Sequence, residues 1–175
     1  MSTPYLRKPS VNDADLYVEY MHACAKDQNE LLAKDEVIRE TYLKWVYEMP
    51  LIEQGILDET DVPKSTYFLI DDESHLFGVL SIRHRLNDDY FMYNGHIGYK
   101  IHPKYRHQGY GKEILKQGLK KAFELGLDKV LITVNEENIY SIKIILHHGG
   151  ILENKVYKTD GYILRYWIDL KGASL

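Results

Sequence analysis

Cysteine is nearly absent from this chain. Cys24 is its single example, so no intramolecular disulfide and no cysteine-built zinc site can form, which fits a reducing compartment. Equally missing is an apolar run long enough to span a bilayer, and residues 1–10 lack the apolar core of a secretory leader. Only five prolines occur in 175 residues, and no repeat, low-complexity tract or Pro/Gly/Ser-rich linker marks a boundary. These absences predict one domain over residues 1–175, cytoplasmic and without a membrane partner. Against them stand a 45% hydrophobic content and fifteen tyrosines, enough for a sizeable core and unlike a disordered chain.

Basic charge is also scarce, except in one place. Residues 1–99 carry 9 Lys/Arg against 18 Asp/Glu, whereas residues 100–121 carry 7 against 1. A nucleic-acid binder needs a broader basic surface, so no nucleic-acid partner is expected, and a compact island suits a small polyanion. Part of the island is equally explained as a solvated helix face, because Lys116, Lys120 and Lys121 share one side of a helix. The acidic remainder would suit a cationic partner, or is simply solvated surface.

Apolar periodicity orders the elements as ααβββαβαββ, an α+β (mixed α/β) arrangement with a central twisted mixed sheet of about six to seven strands flanked by helices. The first helix opens at Ser10, and the second is expected over 35–48. Strands are expected over 66–70, 76–83, 95–101 and 129–134, with a polar loop around Asn87, Asp88 and Asp89. Helices begin at Gly109 and after Glu137, and two last strands, 151–157 and 162–169, straddle a turn at Thr159, Asp160 and Gly161.

The chemistry concentrates where the strand ending at His102-Pro103 leads into Arg106-His-Gln-Gly-Tyr-Gly-Lys at the start of a helix. Glycine there lets backbone approach a ligand closely, and unpaired amides with the helix dipole favour an anion such as pyrophosphate. A Walker A loop is excluded by Glu113 after Lys112 and by the lack of a glycine at 106. A dinucleotide fingerprint is excluded by Ile114. The spacing of Arg106, Gly109 and Gly111 instead meets [Gln/Arg]-x-x-Gly-x-[Gly/Ala], and residues 96–150 resemble the cofactor half of the GCN5-related N-acetyltransferase (GNAT) family. The runs beginning at Arg83 and Arg165 also look like a bacterial branch of predicted acetyltransferases.

That resemblance implies a GNAT-like fold whose cofactor half spans about 95–150, and acetyl-CoA as cosubstrate with no metal. The amides from Arg106 through His107, Gln108, Gly109, Tyr110 and Gly111 to Lys112 would hold the pyrophosphate. The strand edge at Tyr99, Lys100 and Ile101 would pair with the pantetheine, and Asn135, Asn138 and Ser141 would contact the cofactor, although Asn138 as a helix cap is the plainer reading. Relatives often carry an acid-donating tyrosine four residues before the glycine that closes the fourth helix; that position here is Ile145. As base the resemblance points to His96, where relatives often place a glutamate, with His84 next. Cys24 as nucleophile and His147-His148 as metal ligands are disfavoured.

The function expected is transfer of an acetyl group from acetyl-CoA to a primary amine of a small molecule or peptide, by direct attack in a ternary complex. The rivals are a non-catalytic CoA-binding or interaction module of the same fold and a transferase of another acyl group. A homodimer is compatible with all of these.

Overall fold

The computed structural model describes residues 3–57, 62–159 and 161–171. Seven strands form two sheets rather than one. The first holds β1 (Tyr5–Arg7), β2 (Lys64–Ile70), β3 (Leu76–Arg83) and β4 (Ile97–Ile101) in that order; the second holds β5 (Lys129–Asn135), β7 (Gly161–Asp169) and β6 (Ile151–Lys158), with β7 central. Each ladder is antiparallel, where the sequence leads one to expect a mixed sheet. The helices are α1 (Ala14–Gln28), α2 (Asp35–Gln54), α3 (Tyr110–Glu124) and α4 (Ile139–His147).

Three local differences from the sequence expectation have physical causes. The edge strand β1 is three residues long, too short to show an alternating pattern. Helix α2 runs on through Pro50 and ends at its cap, Gly55, so the proline bends the expectation but not the chain's hydrogen-bonded course. The expected polar loop contains a single π-helical turn, Tyr90–Asn94. Asp160, in the expected last turn, lies outside the described residues.

Strand alternation sorts the first sheet's two faces. On one, Leu69, Leu80, Ile82 and Ile97 pack with Ile114, Leu115 and Leu119 of α3 and with Val130, Ile132 and Ile168 of the second sheet. Each such side chain, fully withdrawn from water, contributes about 1.5–3 kcal/mol. Close packing explains Gly118: a Cβ there would lie 2.5 Å from Leu80 Cδ1. On the other face, Phe68 and Leu76 meet Tyr20, Cys24 and Tyr42 of α1 and α2. Tyr17 stacks on Tyr42 with centroids 4.7 Å apart. The same helix is tied to β4 by the Tyr20 hydroxyl, which donates to the Lys100 carbonyl at 3.3 Å.

Among the described residues, the backbones of the two sheets are bridged at one place. Gly95 forms an isolated bridge to Ile132, the His96 N–H donates to the Leu131 carbonyl at 2.7 Å, and the Leu131 N–H donates to His96 Nδ1 at 2.9 Å. Gly95 is required here twice over. Its φ is +66°, and an added Cβ would fall 2.4 Å from the Leu131 oxygen. The turn leading to it is held by Arg165, which donates to the Phe91 carbonyl, by Thr133, which donates to the Tyr93 carbonyl, and by Arg83, which donates to the Gly95 carbonyl. Beyond this junction β4 and β5 share no ladder, and the sheets open as a wedge.

His96 is buried, and burial lowers its pKa to about 4. Its Nδ1 is an acceptor, so protonation there would also remove the Leu131 bond. Between an unfolded value near 6.5 and the folded value near 4, the unfolded chain binds more protons, so this group's contribution to stability declines as pH falls through that window and is constant above it. His96→Asn keeps an acceptor for Leu131 but does not titrate. Urea titrations from pH 7 down to pH 4 should show a shallower decline for the variant, by up to about 1.4 kcal/mol per pH unit. Parallel curves would place the titration elsewhere.

Candidate active site

The wedge leads into a cleft of about 640 Å³ bounded by β4, the loop before α3 and helix α4. Ten of the residues expected at a cofactor site line it: Tyr99, Lys100, Ile101, Arg106, His107, Gly109, Gly111, Lys112, Asn138 and Ser141. Gln108, Tyr110 and Asn135 do not. The Gln108 side chain donates to the Lys104 carbonyl at 2.9 Å and stitches the loop to the preceding turn. The Tyr110 ring stacks on Phe77 at 4.2 Å, leaving only its amide toward the loop. Asn135 Oδ1 accepts from the Glu137 N–H at the end of β5.

The loop itself is an array of unspent donors. His107 and Gly109 both take positive φ, +60° and +92°, which turns successive amides toward one side. The Arg106 N–H goes to Pro103 and the Lys112 N–H to Gly109. Among the described residues, the N–H groups of residues 107–111 meet no protein acceptor. The cradle expected over residues 106–112 therefore narrows by one residue at each end. A Cβ on Gly109 would meet no atom within 4 Å, whereas one on Gly111 would lie 2.7 Å from Ile144 Cδ1. The first glycine thus serves the turn and the second serves the contact with α4. Arg106 itself forms a bidentate ion pair with Asp27 of α1, at 3.0 and 2.8 Å.

Helix α4 forms the opposite wall. Asn138 Oδ1 accepts from the Ser141 N–H at 3.1 Å, so Asn138 caps the helix while facing the cleft. Tyr140, Lys143 and Ile144 line it too, a set visible in the sequence as the helical neighbours of Ser141. The Tyr140 ring meets His107 edge-on at 4.7 Å and closes the rim. Ile145 is a core residue, 1% exposed.

A second cleft, about 460 Å³, lies on the other face of the first sheet beneath Tyr17, Tyr20 and Trp45. Tyr99 and Lys100 border both clefts, so the two meet across β4. Its floor is Thr66, Ser81 and Gly98, with Lys64, Arg83 and Lys100 around them; Thr66 and Ser81 share a hydrogen bond of 3.0 Å. No residue of this floor was legible as a site from sequence, because strand hydroxyls and an aromatic helix stripe carry no spacing signature.

Neither histidine singled out from sequence lines a cleft. His96 closes the junction of the sheets, as described above. His84 Nε2 lies 2.9 Å from the Ser65 hydroxyl, burial lowers its pKa, and its strand neighbour Arg83 is the residue that faces the second cleft. Tyr99 is different. Its hydroxyl is buried without a hydrogen-bond partner, and burial raises its pKa above the ordinary tyrosine value, opposed by the nearby Ser141 hydroxyl.

The sequence model of the acetyltransferase (GNAT) domain matches residues 5–151, and the chain belongs to that family of acetyltransferases. No curated protein matches it in sequence. Among solved structures it is similar to the ribosomal-protein-S5-alanine acetyltransferase from Vibrio fischeri, with a TM-score of 0.73 and 13% identity over 98% of each chain. The ribosomal-protein acetyltransferase RimL, solved with coenzyme A, gives 0.71 and 16% over 97% of this chain and 95% of its own. A putative acetyltransferase from Salmonella typhimurium, solved with acetyl-CoA, gives 0.63 and 15% over 98% and 96%.

A buried hydroxyl without a partner costs about 1–3 kcal/mol. Tyr99→Phe removes it with little change of shape, so the free protein should be at least as stable as the parent, by up to about 1 kcal/mol in urea unfolding. A clear loss of stability would mean that the hydroxyl has a partner in the free protein.

Proposed function

We propose that the protein transfers an acetyl group from acetyl-CoA to an amine held in the second cleft, by direct attack across β4. The observation that carries this reading is the meeting of two clefts at Tyr99 and Lys100: one has an array of free amides at its mouth, the other is an open groove on the far side of that same strand. Acetyl-CoA fits the first cleft on three counts. The free amides of residues 107–111 suit its pyrophosphate, Lys112 and Lys143 add positive charge at the rim, and the Tyr99 hydroxyl awaits a polar partner. It supplies the activated acyl group.

The amine nitrogen forms a bond to the thioester carbonyl carbon and the C–S bond breaks. Starting from the ammonium form, one proton passes to solvent as the free base forms; a second leaves the nitrogen as the amide forms and is matched by the one the sulfur gains. Tyr99 serves the sulfur: its hydroxyl, protonated near neutral pH, hydrogen-bonds to the charge developing there, and any proton it gives up is replaced through solvent by the one released from nitrogen. Its raised pKa favours this donor role over full transfer to a thiolate, whose conjugate thiol has a pKa of about 8.5. This assigns to β4 the role that Ile145 cannot fill from α4.

For the first proton, the described residues that line the second cleft include no carboxylate and no histidine. Lys64, Arg83 and Lys100 do the complementary work, since neighbouring positive charge disfavours the ammonium form and enlarges the free-base population that attacks. His96 is thereby assigned to positioning, as the clip at the apex of the wedge. Alignment of amine and thioester can account for about 7–11 kcal/mol of the barrier in favourable cases.

Release of free CoA from acetyl-CoA with a panel of amines tests the reading. Tyr99→Phe should lower kcat by about 10²-fold while acetyl-CoA affinity stays within a few fold. The pH–rate profile of His96→Asn should keep the parent's acidic limb; its loss would return the base to His96. Gly109→Val should weaken acetyl-CoA binding at least tenfold, about 1.4 kcal/mol, in calorimetric titration, because the valine disfavours the left-handed turn that aims the amides. Equal affinities would remove the cradle from this loop.

A further inference from the structure

The floor of the second cleft is a grid set by strand register. Lys64 pairs with Arg83; next along the strands Thr66 pairs with Ser81, and Ser81 with Gly98; next again Phe68 pairs with Val79, and Val79 with Lys100. All these residues point to one face, and successive rows are two residues apart, about 7 Å. Gly98 leaves open space, since a Cβ there would meet nothing within 4 Å, and it adjoins Tyr99. The middle row therefore presents two hydroxyls and an opening beside the strand shared with the cofactor cleft, and one row away stand two cations side by side.

Among the described residues, neither cation is neutralised by a neighbouring carboxylate, as a number of others in the molecule are. Arg7, Arg39, Arg106, Lys121, Lys155, Arg165 and Lys171 each have an acidic partner. Among the described residues, Lys64 and Arg83 have none. Arg83 is nevertheless fixed: it donates to the Gly95 carbonyl at 3.1 Å, stacks 4.3 Å above the Tyr90 ring, and keeps a buried Nε with no hydrogen-bond partner. An arginine held in place beside a lysine, with donor capacity to spare, is built for a carboxylate.

We infer that the acceptor is a small amine carrying a carboxylate within about 7 Å of its reacting nitrogen, the chemistry of an amino acid, with Arg83 and Lys64 gripping the carboxylate. This rests on the reading that the second cleft receives the acceptor. A polyamine fits poorly, since each further ammonium would face Lys64, Arg83 and Lys100, and the described residues of the lining include no carboxylate. Of the acidic residues in the amino-terminal part, Asp13, Asp15, Asp27 and Asp35 are engaged with Arg7, Arg39, Arg106 and His22.

The test is acetyl-CoA-dependent CoA release by the full chain with the common amino acids, their carboxamides and 1,4-diaminobutane. The best amino acid should exceed its own amide and the diamine in kcat/KM by at least about tenfold. The carboxamide carries the less basic nitrogen, so the free-base population works against this preference and cannot produce it. Lys64→Gln and Arg83→Gln should each erase most of the advantage while acetyl-CoA affinity stays within about threefold. Lys64 has no part in the Gly95 junction, so its variant keeps the test valid should Arg83→Gln unfold. Equal or better turnover of amides or of the diamine overturns this inference and leaves acetyl transfer standing. Silence across all amines, with acetyl-CoA bound, overturns both.

Discussion

The arrangement depends on a single constraint, the contact of Gly95 and His96 with Leu131 and Ile132. Two antiparallel sheets that share one core would be expected to continue as one, since every unpaired strand edge buried between them leaves donors and acceptors unsatisfied. Here the backbone of His96 and its ring satisfy both polar groups of Leu131, which joins the sheets at one residue and lets them part immediately after it. In the proposed reading, the edge of β4 that opens beyond this point is the one offered to the cofactor, whose amides would continue a ladder that the protein itself ends there.

The junction also explains why charge and glycine sit where they do. Arg83, Thr133 and Arg165 all donate to carbonyls of residues 91–95, holding a π-helical turn whose only evident purpose is to deliver Gly95 in a conformation other residues avoid. Arg83 therefore has two roles on one side chain: one nitrogen fixes the apex of the wedge, and the rest of the guanidinium faces the second cleft. Positioning of the thioester strand and recognition of the acceptor are thus linked through a shared residue. The orphaned Tyr99 hydroxyl belongs to the same economy, a local cost borne by the free protein at the point where both clefts meet.

Much of this was legible in the sequence, and the illegible part follows a rule. Local signals carried: a run of β-branched residues marks β5, helical spacing marks α3 and α4, and Arg106-x-x-Gly-x-Gly marks the loop whose amides at residues 107–111 meet no protein acceptor among the described residues. Signals that depend on pairing across space did not. His96 reads as a titratable residue on a cofactor strand, and only the partner strand reveals that its Nδ1 is occupied by Leu131. Tyr99 reads as one of fifteen tyrosines, and only burial distinguishes its hydroxyl. The grid of Lys64, Thr66, Ser81, Arg83 and Gly98 is drawn from three strands, so no window of sequence contains it.

The basic island shows the same division at finer scale. Its charges are contiguous in sequence, but the helix distributes them. Lys100, Arg106 and Lys112 border the cofactor cleft, while Lys116 and Lys120 are exposed and Lys121 pairs with Glu124. Arg106 is committed to Asp27, so the motif's own arginine braces α1 against the loop and leaves the anion to the backbone amides. Net charge along a chain therefore located the polyanion site without identifying what binds it. In the second cleft, which the proposed reading gives to the acceptor, the inverse holds: within an acidic stretch of sequence, strand register gathers Lys64 and Arg83 side by side at one end of the floor.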